Sequence, residues 1–484
     1  MSSKIFNIFF TFAVKKMEVQ DLKHIFLENF GFTPTLDQDT AAENLCRYVL
    51  DSQRDGIFLL TGYAGTGKTS LISAFVKTLN YFNIKTCLCA PTGRAAKVFS
   101  LVSGHQAFTI HKLIYRQKSG IDGAFVLNQN LRSDTFYIVD EASMISQGGV
   151  DNSIFGSGRL LDDLINFVFS GDNCRLVLVG DKAQLPPVGS SLSPALDKNE
   201  LECYGKNVFY SSLTEVLRQA GKSGILYNAT LLRQKISTND LKPKFYLKNF
   251  TDIERISGGE LLEKLENSYD KAGIFDTLVI TRSNKNANIY NNGIRSRIFY
   301  REESVTVGDM LMVVKNNYFY AKNVENLDFI ANGDFAEVVR VGREQSLYGF
   351  HFLNLDLRFN DLGGIELPVK IIKESLQSEA ASLSEKDLRQ LYQNVMEDYT
   401  GMSKKDTYKE LRENEYFNAL QVKFAYAVTC HKSQGGQWKN VFIDQGYLTE
   451  DMLDKEYLRW LYTALTRAEE KVYLINFRED FFEN

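Results

Sequence analysis

One glycine-rich segment, Gly62 to Thr69, constrains the fold of this chain more than any other feature of the sequence. It follows an apolar run at residues 57–60 and precedes a helical pattern of apolar residues at 71–76. Its G-x-x-x-x-G-K-T spacing is that of a phosphate-binding loop, because glycines let successive backbone N–H groups turn toward phosphate oxygens. The segment therefore predicts a nucleoside triphosphate site. The predicted ligands are Gly62, Ala64, Gly65, Thr66, Gly67, Lys68 and Thr69, with Lys68 on the β- and γ-phosphates and Thr69 on Mg²⁺.

Length and composition are those of a water-soluble protein of several domains. The chain has 484 residues, of which 44% are hydrophobic and 24% are charged, and such a length accommodates about two to four domains. A net charge of −4 gives no overall basic field for nucleic acid, although 56 Lys and Arg residues could line a local groove. The six cysteines form no C-x-x-C pair. We therefore expect reduced thiols in a cytoplasmic protein, and neither a disulfide framework nor a zinc site.

The N-terminal leader is unusual. An apolar run at residues 5–14 is flanked by Lys4, Lys15 and Lys16. The run is too short to span a bilayer, and lysines stand where a signal peptide would have its cleavage site. Our hypothesis is that translation starts at Met17, or that the leader is a disordered tail. No membrane association is expected.

Two carboxylates follow an apolar strand pattern. Asp140 and Glu141 come directly after residues 136–139. Beside a phosphate loop, such a pair suits a Mg²⁺ ligand and a base for the attacking water. The next apolar run, residues 175–179, leads to Gln184, which is placed to sense a γ-phosphate. Apolar strands that each end in polar residues predict a mostly parallel sheet with helices on both faces, an α/β fold.

Three features of the first half allow more than one interpretation. Pro91 and Thr92 lie where α/β sheets bind ligands, at the end of a strand pattern, although such a loop alone is more often ordinary. His111, taken alone, is more often structural than a ligand. Residues 115–135 form a polar excursion around a short apolar run at 124–127, which predicts a small inserted β-hairpin.

The second half shows a second α/β pattern with insertions. Residues 278–284 indicate a strand and loop that open a second domain. Strand patterns at 308–318 and 335–339 flank Asn332-Gly333-Asp334, which we interpret as a hairpin turn. Residues 371–420 are charge-rich with helical spacing. They carry no recognisable chemistry, and we expect a solvated accessory helical unit.

Taken together and in order, these segments resemble the motifs of superfamily 1 helicases, in the branch of Dda and the RecD-like enzymes. The resemblance runs from about Thr35 to Ile475, nearly the whole chain. The matching segments are Gln38 (Q motif), 62–69 (motif I), 90–96 (Ia), 109–111 (Ib), 140–143 (II), 180–189 (III), 213–219 (IV), 424–437 (V) and 462–468 (VI).

The resemblance implies two RecA-like P-loop NTPase domains. A small β-hairpin would be inserted in the first domain, and an SH3-like plus helical insertion in the second. The expected bounds are 1–34 for the leader and an N-terminal helix, 35–220 for the first domain with its hairpin at about 115–135, 221–300 and 421–484 for the second domain, and 301–420 for its insertion.

The resemblance also implies roles for residues at the nucleotide. Gln38 would read the adenine, and Gly435 would lie against the nucleotide. Asp140 would orient Mg²⁺, Glu141 would activate the hydrolytic water, and Gln184 would couple the γ-phosphate to the strand-binding loops. Arg218 and Arg467 would neutralise charge that develops on the γ-phosphate.

Further residues would contact a single strand. The residues that match strand-contacting positions of the family are Pro91, Thr92, His111, Pro186, Thr429 and His431. Contacts to phosphates would explain why no base-reading signature is visible. Phe125, the aromatic residue in the apolar run of the excursion, is either a wedge that stacks on the first base pair or a residue that packs the hairpin onto its own domain.

The function implied is an ATP- and Mg²⁺-dependent DNA helicase that moves 5′→3′ on single-stranded DNA and opens junctions in replication, repair or recombination. A monomeric motor is expected, with single-strand-binding or replication and repair proteins as partners. The polarity rests on the resemblance and on the short 115–135 excursion, which at about twenty residues has no room for a helical subdomain. Two alternatives stay open: an ATP-gated clamp that does not unwind, and a motor subunit of a nuclease complex.

Overall fold

The computed structural model describes residues 17–53, 55–117, 125–148, 156–216, 223–238, 240–322, 324, 327 and 329–483. The leader, residues 1–16, and Arg218 therefore lie outside the described residues. The strands are β1 (Ile57–Gly62), β2 (Lys85–Ala90), β3 (Ala107–Thr109), β4 (Tyr115–Gln117), β5 (Phe125–Leu127), β6 (Thr135–Val139), β7 (Arg175–Gly180), β8 (Val208–Leu213), β9 (Ile253–Ile256), β10 (Thr277–Thr281), β11 (Met310–Val313), β12 (Phe335–Leu347), β13 (Phe350–Phe359), β14 (Ile365–Ile372), β15 (Val422–Phe424), β16 (Ala427–Thr429), β17 (Trp438–Asp444) and β18 (Ala468–Ile475).

The helices are α1 (Val19–Phe30), α2 (Leu36–Leu50), α3 (Lys68–Tyr81), α4 (Gly93–Ser103), α5 (Ile110–Ile114), α6 (Leu160–Ser170), α7 (Lys198–Glu202), α8 (Gly224–Thr238), α9 (Leu261–Ala272), α10 (Asn284–Arg297), α11 (Glu374–Gln377), α12 (Glu385–Glu397), α13 (Lys404–Glu413), α14 (Cys430–Ser433) and α15 (Lys455–Leu465). Among the residues described, no helix is both long enough and apolar enough to cross a bilayer.

The chain divides into two compact units. The first takes in the described residues up to Pro91, from Ala95 to Leu241 and from Asp454 to Thr463; the second takes in Thr92 to Arg94, Lys242 to Leu453 and the residues from Ala464 onward. Residues 223–238, 240–241 and 454–463 thus belong to the first unit, whereas the sequence analysis assigned these stretches to the second domain.

A parallel sheet lies at the centre of the first unit. Its strand order is β3-β2-β6-β7-β1-β8, and every pair is parallel. Every residue of β1 is buried. Phe58 and Leu60 belong to a core shared with α1, α2 and α3, whereas Ile57 and Leu59 belong to a core shared with α5, α6 and α7. Because both faces of the sheet are covered, the strand is apolar throughout, and the predicted α/β fold is confirmed.

The N-terminal helix α1 is part of this first core. Leu22, Phe26 and Phe30 are buried against residues of α2 and α3. The sequence analysis had grouped this helix with the leader. The apolar spacing of four residues places all three side chains on one face, which explains why the helix packs here.

The inserted hairpin is formed by β4 and β5. They pair antiparallel, with Tyr115 opposite Leu127 and Gln117 opposite Phe125. Phe125 and Leu127 are half-buried and pack against the core that contains Ile57 and Leu59. Residues 118–124 of the predicted excursion lie outside the described residues.

The second unit contains a parallel and an antiparallel sheet. The parallel sheet has the order β16-β10-β17-β18-β9. The antiparallel sheet has the order β14-β13-β12-β11-β15. Helices α12 and α13 contribute Leu391, Val395 and Leu411 to a core with Phe350 and Phe352 at the start of β13.

The turn predicted at Asn332-Gly333-Asp334 does not connect two strands. The N–H of Gly333 donates to the carbonyl of Val313 at 2.8 Å, and the N–H of Val313 donates to the carbonyl of Asp334 at 2.9 Å. The pairing continues to Asn317 and Ile330. Gly333, with φ +98°, therefore bends one strand within the ladder. The chain reverses between Asn317 and Ile330, before it reaches Gly333.

Candidate nucleotide site and strand-binding residues

The glycine loop has the conformation that its sequence predicts. It begins at the end of β1, and α3 begins at Lys68. Gly65 and Gly67 have φ values of +75° and +80°, a region that side chains other than glycine rarely adopt. A Cβ on Gly62 would lie 2.9 Å from the Thr66 hydroxyl and 3.0 Å from Lys68 Cγ, so only glycine fits there.

Lys68 is folded onto its own loop. Its Nζ donates to the Tyr63 carbonyl at 2.9 Å, and the Thr66 hydroxyl donates to the same oxygen at 2.8 Å. One carbonyl thus holds the ammonium group beside the backbone N–H groups at the start of α3, where the positive end of the helix dipole also lies. Thr69 lies in the first turn of α3 and is half-buried. These donors suit a polyphosphate.

Asp140 and Glu141 lie at the carboxyl end of β6, as the sequence predicts. Asp140 Oδ1 accepts from the Glu141 N–H at 2.8 Å. Glu141 has φ +52°, an uncommon conformation for a residue other than glycine. Burial and the adjacent Glu141 charge raise the pKa of Asp140 to about 7, and the Lys68 charge opposes this shift. A cation bound beside Asp140 would favour the charged carboxylate and would lower this raised pKa again.

A metal ion at Asp140 would need ligands from outside the protein. Among the residues that the structure describes, no group of three or more His, Cys, Asp or Glu side chains could hold a metal ion. Mg²⁺ commonly takes one or two protein ligands and completes its shell with water and phosphate oxygens. A carboxylate such as that of Asp140 and a hydroxyl such as that of Thr69 are ligands of the type that Mg²⁺ takes when it is bound with a nucleotide.

Asp181, which follows β7, was within a recognised motif but had no assigned role. Its Oδ1 accepts from the Ala183 N–H at 2.8 Å, and its Oδ2 accepts from the Tyr462 hydroxyl at 2.6 Å. The Tyr462 hydroxyl in turn accepts from the Ala64 N–H of the glycine loop at 2.8 Å. Burial raises the pKa of Asp181, and the Lys68 charge opposes the rise. Asp181 therefore belongs to the same electrostatic cluster as Asp140.

Gln184 and Ser143 each carry a buried polar atom without a partner. Gln184 is only 6% exposed, and its Oε1 has no hydrogen bond within the described part of the chain. The Ser143 hydroxyl, two residues after Glu141, is also buried and has no hydrogen bond within the described residues. Because such atoms are costly to leave unpaired, both side chains are ready to bind a ligand or a water.

Gln38 has a structural task in addition to the predicted contact with adenine. Its Oε1 accepts from the Thr35 N–H at 3.0 Å and completes a capping box at the start of α2. Its Nε2 donates to the Thr66 carbonyl at 2.9 Å. Both ends of the amide are thus used by the protein, and the side chain ties α2 to the glycine loop.

Arg467 and Gly435 lie in the second unit. Arg467 is 4% exposed, and its guanidinium donates to the Gly436 carbonyl and the Thr466 hydroxyl, both at 3.3 Å. Gly435 has φ +74°, which requires glycine in the segment after α14. Burial raises the pKa of Cys430 in α14 to about 12, and the Arg467 charge opposes the rise.

The strand-binding candidates are divided between the units. Those in the first unit are Pro91, His111, Phe125 and Pro186; those in the second are Thr92, Thr429 and His431. Pro186 is buried, and the other six are half-buried. Burial lowers the pKa of His111 to about 4, so its ring is neutral at pH 7. His111 can therefore donate or accept a hydrogen bond but brings no charge to a strand.

Models of two families match the chain. Residues 36–241 match an AAA domain, and residues 424–475 match a UvrD-like helicase C-terminal domain. The first match covers the glycine loop, the carboxylate pair and α8, and the second covers α14 to β18.

Several known proteins are similar in sequence. The ATP-dependent RecD2 DNA helicase of Deinococcus radiodurans is 25% identical over 86% of this chain and 46% of its own length. The ATP-dependent DNA helicase dda of Enterobacteria phage T4 is 24% identical over 52% of this chain and 55% of its own length. The chain thus spans about half the length of these two helicases. An uncharacterized protein of Acanthamoeba polyphaga mimivirus is 23% identical over 90% of this chain and 98% of its own length.

A solved structure of the Pif1 helicase from Bacteroides, in complex with ADP-AlF3 and ssDNA, covers 94% of this chain with a TM-score of 0.48 and 15% identity.

Proposed function

We propose that this chain belongs to the superfamily 1 helicases, in the Dda- and RecD-like branch. On that premise, it is an ATP-dependent DNA helicase that moves 5′→3′ on single-stranded DNA. The observation that carries the proposal is the electrostatic cluster in the first unit. It combines the ammonium group of Lys68 with the carboxyls of Asp140, Glu141 and Asp181. A cation on a phosphate loop beside buried carboxylates is the arrangement that phosphoryl transfer requires.

In this proposal the loop binds the phosphates of ATP through its backbone N–H groups and Lys68. Bound Mg²⁺, held by Thr69 and Asp140, would neutralise charge on the transferred phosphoryl group. Glu141 accepts a proton from the attacking water, because Asp140, the other carboxylate after β6, is assigned to Mg²⁺. Gln184 uses its unpaired Oε1 to accept a hydrogen bond from the attacking water at the γ-phosphate, and Arg218 and Arg467 stabilise charge on that phosphate.

The strand is held mainly through its phosphates. Thr92 and Thr429 donate hydrogen bonds from their hydroxyls, and the rings of His431 and neutral His111 add hydrogen bonds. Pro91 and Pro186, which have no N–H to donate, pack against the sugar-phosphate backbone. Phosphate contacts set the position of a protein on a strand without reading its sequence. A motor that moves along any sequence needs contacts of this kind.

The wider context is part of the same proposal. The protein acts in the cytoplasm as a monomeric motor on single strands and on junctions between single and double strands. It does so in replication, repair or recombination, with proteins that bind single strands as partners. The two RecA-like domains keep the predicted bounds, apart from the α1, α8 and α15 segments, which we assign to the first domain.

A strand-displacement assay with forks of each polarity tests the proposal. The purified full chain should open forks with a 5′ single-stranded tail in the presence of ATP and Mg²⁺, and should leave forks with only a 3′ tail closed. Lys68→Ala should abolish opening and lower ATP hydrolysis at least about tenfold, because the ammonium group is lost while the backbone of the loop stays.

Three outcomes would contradict the proposal. Preferential opening of 3′-tailed forks would overturn the polarity. ATP hydrolysis with strand binding but no opening of any fork would favour the ATP-gated clamp. Opening that requires a second protein with nuclease activity would favour a motor subunit of a nuclease complex.

A further inference from the structure

Arg233 lies against the glycine loop, outside all of the helicase-like motifs. Its guanidinium is 4.2 Å from the centroid of the Tyr63 ring. Leu226, seven residues earlier in α8, occupies the same face of the helix, because a Cβ on Gly65 would lie 3.1 Å from its Cδ2 atom. One face of α8 therefore covers the loop at two places.

The guanidinium of Arg233 is held by a carbonyl that is itself fixed. Its Nη2 donates to the Thr214 carbonyl at 3.0 Å. The Thr214 N–H and hydroxyl both donate to Asp37 Oδ2 at 2.7 Å. The side chain is thus anchored at one nitrogen and stacked on one aromatic face, so its position does not depend on a flexible surface contact.

The second terminal nitrogen of Arg233 has no partner. Nη1 is shut off from solvent, and no acceptor for it lies within the described part of the chain. An unpaired N–H of a charged group in such a place is among the least favourable polar arrangements in a protein. A ligand that brings an acceptor to the glycine loop would relieve it.

The charge of Arg233 acts on a hydroxyl that joins the glycine loop to a carboxylate. Burial raises the pKa of the Tyr462 hydroxyl and the Asp181 charge adds to the rise, whereas the Arg233 charge acts in the opposite direction. Arg233 is therefore within electrostatic range of the hydroxyl that joins Ala64 to Asp181. The γ-phosphate is the part of a nucleoside triphosphate that reaches the carboxylate end of such a site.

We propose that Arg233 is a nucleotide-binding residue whose Nη1 donates to an oxygen of the γ-phosphate. This inference rests on the proposed ATP site and adds a cation to those already assigned. Nη2 keeps its bond to Thr214 while the end of the side chain turns Nη1 toward the phosphate. Since ADP lacks that phosphate, Arg233 favours the triphosphate over the diphosphate.

Binding of two nucleotides to the full-length Arg233→Gln variant tests the inference. The probes are the non-hydrolysable β,γ-imido analogue of ATP and ADP, each with Mg²⁺, titrated in a calorimeter. We expect the Kd of the triphosphate analogue to rise about 10- to 100-fold, the range for a lost hydrogen bond to a charged group. The Kd of ADP should change less than about twofold.

Lys235→Gln is the matched control. Lys235 is two residues farther along α8, and its ammonium group pairs with Asp240 instead of the loop. The control removes the same charge from the same helix, so it should change neither Kd. A comparable rise with Lys235→Gln would assign the effect to general electrostatics and overturn the inference.

Two results for Arg233→Gln would also overturn the inference. An equal rise in the Kd of both nucleotides would mean that Arg233 only supports the loop through Tyr63. An unchanged Kd of the triphosphate analogue would mean that Nη1 never reaches the γ-phosphate.

If thermal melting shows that Arg233→Gln does not fold, the same titrations with Arg233→Lys test the inference. That variant keeps the positive charge but loses the two terminal nitrogens of the guanidinium group, and it should raise only the Kd of the triphosphate analogue. An unchanged ratio of the two Kd values would overturn the inference.

The inference and the proposed function fail in different ways. Wild-type protein that binds the triphosphate analogue, together with a Lys68→Ala variant that does not, supports the proposed ATP site whatever the result at Arg233. Wild-type protein that binds neither nucleotide would overturn both.

Discussion

The hydroxyl of Tyr462 donates a hydrogen bond to Asp181 Oδ2 at 2.6 Å. The hydroxyl oxygen of Tyr462 also accepts from the Ala64 N–H of the glycine loop at 2.8 Å, and the Tyr462 side chain is 1% exposed. The next residue, Thr463, accepts from the Leu185 N–H at 2.9 Å. The end of α15 thus holds together the glycine loop and the segment that carries Asp181 and Gln184.

Tyr462→Phe should therefore weaken both stability and turnover. The change leaves the Ala64 N–H and one oxygen of Asp181 without a partner, at a cost of about 1–3 kcal/mol in the free energy of unfolding. ATP hydrolysis should fall because Asp181 and Gln184 lose their support. Urea unfolding and steady-state ATPase assays measure the two effects. Tyr81→Phe, at a residue that is 63% exposed, is the control and should change neither stability nor turnover. Wild-type stability and turnover in Tyr462→Phe would show that the Tyr462 hydroxyl does not support the site.

Glu141→Gln should bind ATP and single strands but hydrolyse ATP slowly. The amide keeps the shape of the carboxylate and leaves Asp140 in place, but it cannot accept the proton of the attacking water. We expect single-turnover hydrolysis to fall at least about 100-fold, with the affinity for the β,γ-imido analogue nearly unchanged. Rapid-quench kinetics and nucleotide titration measure these quantities. Glu200→Gln, at an exposed residue of α7, is the control, and an unchanged hydrolysis rate in Glu141→Gln would place the base elsewhere.

His111 should make stability depend on pH in a defined direction. Burial lowers its pKa from 6.5 to about 4, so between these values the unfolded chain binds a proton that the folded protein does not. The contribution of His111 to stability is therefore complete above about pH 6.5 and is lost as the pH falls through about 4. From pH 7 to pH 4.5, wild type should lose about 1–2 kcal/mol more than His111→Gln in urea unfolding.

The same variant tests the contact of His111 with a strand. Because the ring is neutral at pH 7, His111→Gln should leave the salt dependence of single-strand binding unchanged. A smaller salt slope in the variant would mean that the ring is protonated on the strand. Identical pH dependence of unfolding in both proteins would show that the pKa of His111 is not lowered.

Phe125→Ala separates the two interpretations of the hairpin. Phe125 is half-buried against the core of the first unit, so we expect a loss of about 1–3 kcal/mol in stability and a parallel loss of ATP hydrolysis, translocation and unwinding on warming. Unfolding curves and the three activity assays at two temperatures measure this. Loss of unwinding alone, with stability and ATP hydrolysis kept, would establish Phe125 as the wedge.

The features determined by the sequence itself are those whose parts are close together along the chain. The glycine loop between β1 and α3, the pair Asp140 and Glu141 after β6, and the parallel α/β fold all follow from local spacing. Neighbouring backbone dihedrals specify the loop, and short apolar runs that each end in polar residues specify buried parallel strands. The turn at Gly333 shows the limit of this reasoning, because its residue types suit both a hairpin loop and a bend within a ladder.

Tertiary structure alone decided which distant side chains serve the site. Tyr462 and Asp181 are 281 residues apart, and Tyr462 and Ala64 are 398 apart. No local pattern distinguishes Arg233 on α8 from an ordinary surface arginine, nor shows that Gln38 would use both ends of its amide within the protein. Such contacts depend on how helices pack over the loop, and packing is set by buried surfaces gathered from the whole unit, not by the residues on either side of a motif.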